Sequence, residues 1–506
     1  MNKITDIDEK RKKTKEEVEL EKIKKYFEEN QTDLLKAYYS LKQQENSSYY
    51  DYSEKGKITS FLVKKFIPQY LGDKKFISFT DELYQYDNGV YRKAINHMKE
   101  IQEMLSISDP QIVRNVKNAS IALKTKLEVD ISKINENNDF INFKNGIYDV
   151  KKDVLIEHNP DIYSTIQVKG NFSKYDNDKF DQSMFKKYMD TSFEDYDYNT
   201  IQEIFGYCLT GYVQAQKMFF FLGEGRNGKG VLLRLIDSLY TEEFKSSVRL
   251  EQMFNDDRLA QLFGKYINIA GDISAKYIED DSLIKSIVGE DPITGSKKFK
   301  DTFRFINKAK FIFSGQKMPG TAGKEFAFIE RLIIIKCNKV IPVEKRITGL
   351  SEILINKEFD VIISWAIEGL KRLLKNDFKF TISEAGKNNI KEYDYENNSL
   401  KQFIETYCNL DTSDKSFIPK SEFTKVYEQF CKIEGLKPLM AKTRIKTMEE
   451  FKITEKHTVL FNGRYWVKIA WNKLVEEIFK ELAIKNDGTI DNEYIKNERN
   501  ALEHGL

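Results

Sequence analysis

The sequence predicts a multidomain α/β protein. A mixed α+β region comes first, a central domain built on a parallel sheet follows, and a small α+β module with the outline of a winged helix lies near the C-terminal end. Three observations carry this. The apolar runs KMFFFLG (217–223), YINIAG (266–271), AKFIFSG (309–315) and RLIIIKC (331–337) alternate with helical segments, the pattern of a parallel sheet covered on both faces. Asn-Gly turn signals flanked by strand-forming residues, in LYQYDNGVY (83–91) and INFKNGIYDV (141–150), mark hairpins in the N-terminal region. Residues 400–472 order as three helical patterns and then a hairpin.

Length and composition set the outer bounds. A chain of 506 residues holds roughly three domains at about 100–200 residues each. With 41% hydrophobic and 32% charged residues it has a globular rather than a disordered mix. The net charge of +2 excludes polyanion binding through bulk charge, so any nucleic-acid contact must come from local basic surfaces. Cys208, Cys337, Cys408 and Cys431 share no CxxC spacing, and His97, His158, His457 and His504 do not cluster, so buried thiols are expected rather than a zinc site. The first residues, MNKITDIDEKRKKTKEEVELEK, contain no apolar run for a signal peptide, and no stretch approaches the roughly 18–20 apolar residues of a membrane span. The expected location is the cytoplasm, with no membrane partner.

The chain divides by composition. Residues 1–55 are a charged helical or flexible arm, and 56–195 form the α+β region with the two hairpins. Residues 196–380 form the sheet domain. It opens with the helical IQEIFGYCLTGYV (201–213) and closes with the amphipathic FDVIISWAIEGLKRLLK (359–375). The polar stretch 381–399 is expected as a linker, 400–472 as the compact module, and 473–506 as a tail.

GEGRNGKG (223–230) fits G-x-x-x-x-G-K between a buried strand and a helix, the context that makes a phosphate loop credible. Its glycines let backbone N–H groups turn toward phosphate oxygens, and the helix N-terminus adds a favourable dipole. The expected nucleotide contacts are Gly223, Glu224, Gly225, Arg226, Asn227, Gly228, Lys229, Gly230 and Val231, with Lys229 reaching the β- and γ-phosphates. Gly230 stands where a Ser or Thr usually supplies a magnesium-binding hydroxyl. The metal must then be held by phosphate oxygens, water and an acid elsewhere, and Asp272, at the end of the strand in YINIAGDIS (266–274), suits that task. Gln316 ends the next strand, where an amide can orient water.

GEDPITGSKKFKDTFRF (289–305) is expected as a hairpin with Lys297, Lys298, Phe299 and Lys300 at its tip. Cations beside an exposed ring suit single-stranded DNA, although a solvated charged turn has the same composition. Arg331 opens the last strand and fits either a surface ion pair or an arginine finger acting on a neighbouring subunit. In the C-terminal module KPLMAKTRIKTMEEF (437–451) is a candidate recognition helix, and TVLFNGRYWVKIAW (458–471) a hairpin turning at Asn462-Gly463. Eight Lys/Arg stand against three Glu between 437 and 468, which makes Lys442, Arg444, Lys446 and Arg464 candidate DNA contacts; protein docking is the alternative use of such a module.

The order of these motifs between residues 223 and 331 resembles superfamily 3 helicases, the ring helicases of small viruses, phages and plasmids. More narrowly it resembles the phage/plasmid primase–helicase group related to the poxvirus helicase–primase. YDNGVY and FKNGIYDV are similar to that group's N-terminal helicase-associated domain, IQEIFGYCLTGY to the lead-in of its ATPase core, and WAIEGLKRLL to the helix near the core's end. Within the group the resemblance is to self-loading replication initiator helicases of staphylococcal pathogenicity islands.

The resemblance spans roughly 55–380. It implies an AAA+ ATPase assembled as a homo-hexamer, using ATP and Mg2+ and acting on single- and double-stranded origin DNA in a bacterial host. By position it implies Lys229 as the phosphate-loop lysine, Asp272 as the second-motif acid and Gln316 in place of the usual Asn. Lys298 and Phe299 stand at the pore-hairpin tip, and Arg331 as the trans-acting arginine finger. Gly230, Gly271 and Gln316 depart from the family pattern and leave the metal ligands and the base open. Because only a short charged arm precedes the helicase-like region, the expectation is no primer synthesis by this chain and a separate primase.

Overall fold

The computed structural model describes residues 20–25, 28, 49–53, 57–105, 109–253, 255–271, 273, 282–296, 302–320, 326–412, 416–439, 441–458 and 463–473. The chain splits into two compact units, Met1–Gln167 and Val168–Leu506. Most of the expected N-terminal arm and of the C-terminal tail lies outside the described residues.

The first unit is α+β. Strands Tyr50–Tyr52 and Ile58–Phe61 pair antiparallel, and two three-stranded antiparallel sheets follow. Their strands are Phe76–Phe79, Glu82–Asp87 and Val90–Lys93 in one, and Phe140–Phe143, Gly146–Asp149 and Val154–Ile156 in the other. Phe66, Tyr70, Phe76, Leu83, Ile101 and Leu123 fill a core between the helices Val63–Leu71, His97–Met104 and Ile112–Lys126 and the first of these sheets. The first expected hairpin turns at Asn88 and Gly89, both at positive φ as a two-residue turn of this hand requires. In the second the turn falls on Lys144 and Asn145, and Gly146 already pairs with Phe143. Gly146 is needed for another reason: a Cβ there would lie 2.7 Å from the carbonyl of Ile156 on the neighbouring strand.

The second unit is organised by a five-stranded parallel sheet. In spatial order its strands are Lys245–Ser246, Ile267–Ala270, Lys310–Gly315, Met218–Leu222 and Leu332–Lys336. Every residue of Met218–Leu222 and Lys310–Gly315 is buried, which is why Met218–Leu222 and the centre of the second strand, Phe311–Phe313, are unbroken apolar runs. The edge is secured by Asn268, whose fully buried amide exchanges hydrogen bonds of 2.8 and 2.9 Å with the backbone of Val248.

The expected flanking helices form over Tyr198–Cys208 and Phe359–Lys375 and pack against each other. Gly206 and Gly369 permit the close approach, since a Cβ on either would collide with the backbone of the other helix. The pair is locked by fully buried Glu203, which accepts from Arg372 Nε and the Thr381 amide, both at 2.6 Å.

The polar stretch expected as a linker folds as the helix Glu384–Asn397, capped by Ser383, whose hydroxyl accepts from the Gly386 amide at 2.9 Å. Tyr393 anchors it, buried and donating to the Pro319 carbonyl at 2.8 Å. A helix held by Tyr393, the half-buried Ile390 and polar contacts needs no broad apolar stripe, so its periodicity is weak.

The Lys-rich hairpin is present in its arms, with Pro292–Gly295 paired antiparallel to Phe303–Ile306. In the C-terminal module the helices Ser399–Tyr407, Lys420–Ile433 and Ala441–Glu450 enclose Phe403, Tyr427, Met448 and Trp466. Its hairpin pairs Thr454–Thr458 with Gly463–Val467, so the first strand begins earlier than expected, and Ile469–Trp471 leaves to pair with Cys408–Leu410. All four cysteines are buried, and burial pushes the Cys208, Cys337 and Cys408 thiols up to about 12. Among the described residues no helix is long and apolar enough to cross a membrane.

Candidate phosphate-binding site

In a parallel sheet all strands end at the same edge, and ligands bind there where the strand order reverses. Leu222, Ala270, Gly315 and Lys336 end at that edge, and from Leu222 the chain enters the loop Gly223–Gly228 and the helix Lys229–Asp237. The loop crosses unusual backbone space three times, at Gly223 (φ 151°), Arg226 (φ 69°) and Gly228 (φ 85°). A Cβ on Gly223 would strike the Cys337 carbonyl and the Asn227 amide, and one on Gly228 would strike the Ser192 hydroxyl. Both glycines are therefore required by neighbours as well as by φ.

The loop's shape is held from inside by Asn227. It is buried, and its amide donates to the carbonyls of Glu224 at 2.6 Å and Cys337 at 2.9 Å. Although the sequence suggests Asn227 as a nucleotide contact, its side chain faces the loop and the end of the adjoining strand. Outside, the Tyr188 hydroxyl donates to the Gly228 carbonyl at 2.9 Å, and the Ile341 amide donates to the Arg226 carbonyl at 2.9 Å. Burial drives the Tyr188 phenol well above its ordinary pKa, so it stays a donor. Lys229 is half-buried, and its ammonium donates to the Gly223 and Glu224 carbonyls. Glu224, Gly225 and Arg226 are exposed, a Cβ on Gly230 would meet Arg234 Nη1 at 3.6 Å without conflict, and Val231 is half-buried.

The other expected site residues are distributed as follows. Gln316 is exposed and follows Gly315, which pairs in register with Leu222, so it adjoins the loop. Asp272 lies outside the described residues; the strand leading to it ends at Ala270, one strand removed from the loop strand. Arg331 is not at this edge. It precedes Leu332–Lys336 and so sits at the opposite end of the sheet, where its guanidinium donates to Gln216 at 3.2 Å. A strand rises about 3.3 Å per residue, so the separation exceeds an arginine's reach within one chain.

Sequence reasoning missed a cleft beside the loop. It measures about 360 Å³ and lies between the helix Met184–Ser192 and segment 341–350. Tyr188, Val231, Ile341, Ile347 and Leu350 give it apolar walls, and Arg226 and Gly228 join it to the loop. The helix is fixed at its start by Glu358, whose carboxylate accepts from the Met184 and Phe185 amides at 2.9 and 2.8 Å. No local motif marks these residues.

The candidate nucleic-acid contacts are partly described. Lys297, Lys298, Phe299 and Lys300 lie outside the described residues, as does the side chain of Lys442. Arg444 is half-buried, its guanidinium 6.0 Å from the centre of the Tyr427 ring, whereas Lys446 is exposed. Arg464 is exposed and pairs with Glu455 at 3.3 Å, and Glu455 also binds Lys420 at 2.7 Å. The basic surplus of this module is thus partly neutralised within it.

Comparison with known proteins gives two family matches. Residues 43–194 match the family described as D5 N terminal like. Residues 221–331, which contain the loop and Arg331, match a family of unknown function, DUF5906. No curated protein matches the chain. Among solved structures the chain is similar to an A-form apo structure of the NrS-1 C-terminal region, with 12% identity and a TM-score of 0.43 over 80% of this chain and 98% of that one. A second A-form apo structure of that region, residues 305–718, gives 13% identity and a TM-score of 0.45 over 80% and 98%. A further apo structure of it gives 10% and 0.42 over 81% and 98%. The D5 N terminal like match covers the region that precedes the phosphate-loop strand.

Proposed function

We propose that this protein is an ATP-hydrolysing DNA helicase and replication initiator of a mobile genetic element, of the superfamily 3, AAA+ type. The observation that carries the reading is the loop Gly223–Gly228: it leaves a fully buried central strand, its backbone is curled by two obligatory glycines, and Lys229 starts the following helix. Such a loop binds phosphate through N–H groups and a helix N-terminus, and the adjoining apolar cleft has room for a nucleoside base.

In this reading ATP lies on the loop with Mg2+ oriented by Asp272, while Gln316 positions water. Arg331, too far to act on its own chain's loop, reaches the nucleotide of the next subunit in a homo-hexamer. Hydrolysis moves the hairpin bearing Lys298 and Phe299 along a DNA strand in the channel, and the C-terminal module, a winged helix, chooses duplex origin DNA.

A second reading rests on Gly230, which carries no hydroxyl for the metal, and on Gly271, where a second acid is usual: an ATP-switched origin-binding or assembly scaffold without processive unwinding. Strand displacement of forked DNA with ATP and magnesium separates the two. The helicase reading expects unwinding by the native chain, none by Lys229→Ala, and ATPase activity without unwinding for Lys298→Ala. Absence of unwinding by a native protein that binds ATP and DNA would leave the scaffold reading.

A further inference from the structure

Gln316 leaves the strand Lys310–Gly315 and opens segment 316–320, which is neither helix nor strand. Its neighbour on one side is fixed to the phosphate loop: the Gly315 carbonyl accepts from the Gly223 amide at 3.1 Å. On the other side Pro319 is buried, and its carbonyl accepts from the Tyr393 hydroxyl at 2.8 Å. Among the described residues this is the one hydrogen bond that reaches segment 316–320. Proline locks its own φ and restricts the residue before it to extended backbone, so a hold at Pro319 carries back through Met318 toward Gln316. Gln316 thus lies exposed in a short bridge between two buried, fixed residues.

The helix that brings Tyr393, Glu384–Asn397, has other attachments. Asn389 donates to the Ile334 carbonyl at 3.2 Å, Glu392 pairs with Lys336, and Ile390 packs on the sheet core. Ser383, at its start, donates to Asp197 at 3.1 Å. The helix therefore keeps its place without the Tyr393 hydroxyl, whereas segment 316–320 does not keep its hold. We propose that Tyr393 is a positioning residue for ATP hydrolysis: through the Pro319 carbonyl it holds the segment that carries Gln316 beside the phosphate loop. The inference rests on the reading of the loop as an ATP site with Gln316 orienting water, and adds a residue from beyond the matched region 221–331. An attacking water must stand in line with the γ-phosphate, and a misplacement of about 1 Å caused far from the chemistry costs up to roughly 10²-fold in rate. Loss of one hydrogen bond loosens the segment without removing it, so the expected loss is smaller. ATP affinity rests on the loop and Lys229 and is expected to stay.

The test measures ATP hydrolysis by the full chain with magnesium and forked DNA, for Tyr393→Phe, Gln316→Ala, the double variant and Asn389→Ala. Release of labelled phosphate is followed long enough to read slow rates. Tyr393→Phe keeps the ring and removes the donor; kcat is expected to fall about fivefold with KM for ATP unchanged. In the Gln316→Ala background the same change is expected to cost nothing further, because the two residues act as a unit. Asn389→Ala removes a different bond of the same helix and is expected to keep the native kcat. An unchanged kcat in Tyr393→Phe overturns the proposal. So does an equal fold loss with and without Gln316. A matching loss in Asn389→Ala overturns it too and makes Tyr393 only an anchor of the helix. Gln316→Ala at the native rate overturns the proposal and leaves the phosphate loop standing. A native chain that hydrolyses no ATP ends the ATPase reading, and the proposal falls with it.

Discussion

The Tyr188 hydroxyl donates a 2.9 Å hydrogen bond to the carbonyl of Gly228, the residue immediately before Lys229. This contact fixes the C-terminal end of the loop Gly223–Gly228 to the helix Met184–Ser192. Tyr188→Phe keeps the ring and deletes the donor. We expect a loss of about 1 kcal/mol in stability and a several-fold rise in the Kd for ATP, read by thermal melting and nucleotide titration. Unchanged ATP affinity would show that the loop keeps its shape without this contact.

Gly228 stands at φ 85°, with Ser192 where a side chain would go. Gly228→Ala combines left-handed strain with a steric conflict and is expected to cost about 1–3 kcal/mol and abolish ATP binding. Gly225→Ala, at a position with open space, is the control that should leave melting nearly unchanged.

Gly230 has no close obstacle above its α-carbon; the nearest side-chain atom, Arg234 Nη1, is at 3.6 Å. Gly230→Ser therefore fits, improves the first turn of the helix by about 0.5 kcal/mol and restores a hydroxyl for the metal. The expected outcome is tighter ATP binding in magnesium and no change in its absence. A gain that ignores magnesium would assign the effect to the helix alone.

Arg331 and Lys229 lie at opposite ends of the sheet within one chain. Arg331→Ala is expected to bind ATP normally and fail to hydrolyse it, and Lys229→Ala to fail at both. In the proposed hexamer, mixing the two inactive variants should recover part of the ATPase rate, because some interfaces would then pair a native lysine with a native arginine. No recovery in mixed, assembled rings would remove Arg331 from catalysis.

Lys310 is 2% exposed, donates to the Thr210 and Lys308 carbonyls, and lies 5.2 Å from the ring centres of both Tyr207 and Tyr266. Burial pushes its ammonium down to about 7 from 10.5. A folded pKa below the unfolded one means that the unfolded chain binds more protons between those values. Stability from this group is therefore full above 10.5 and is lost as pH falls through 7. Denaturant melts between pH 7 and about 8, below the range where the buried thiols ionise in the unfolded chain, should show stability rising, and Lys310→Met should flatten that rise. An unchanged slope in the variant would place the titration elsewhere.

Much of the architecture is written locally. The runs around 218–222, 267–270, 310–315 and 332–336 are strands because fully buried strands need continuous apolar residues, and 359–375 is a helix because its apolar stripe has helical period. The loop and Lys229 are legible for the same reason: tight curvature demands glycine at fixed offsets, and the lysine follows directly in the chain.

What the tertiary structure alone decided is who meets whom. Pairing placed Lys310–Gly315 between the loop strand and the strand that leads to Asp272, and set Arg331 at the far end of the sheet. It turned Asn227 inward as a brace, made a helix of the polar stretch Glu384–Asn397, and closed a cleft from segments around 188 and 345. These facts depend on burial and hydrogen bonding between residues far apart in the chain. Local composition and period carry no record of such partners, so helices and strands are readable from the sequence while the surroundings of the site are not.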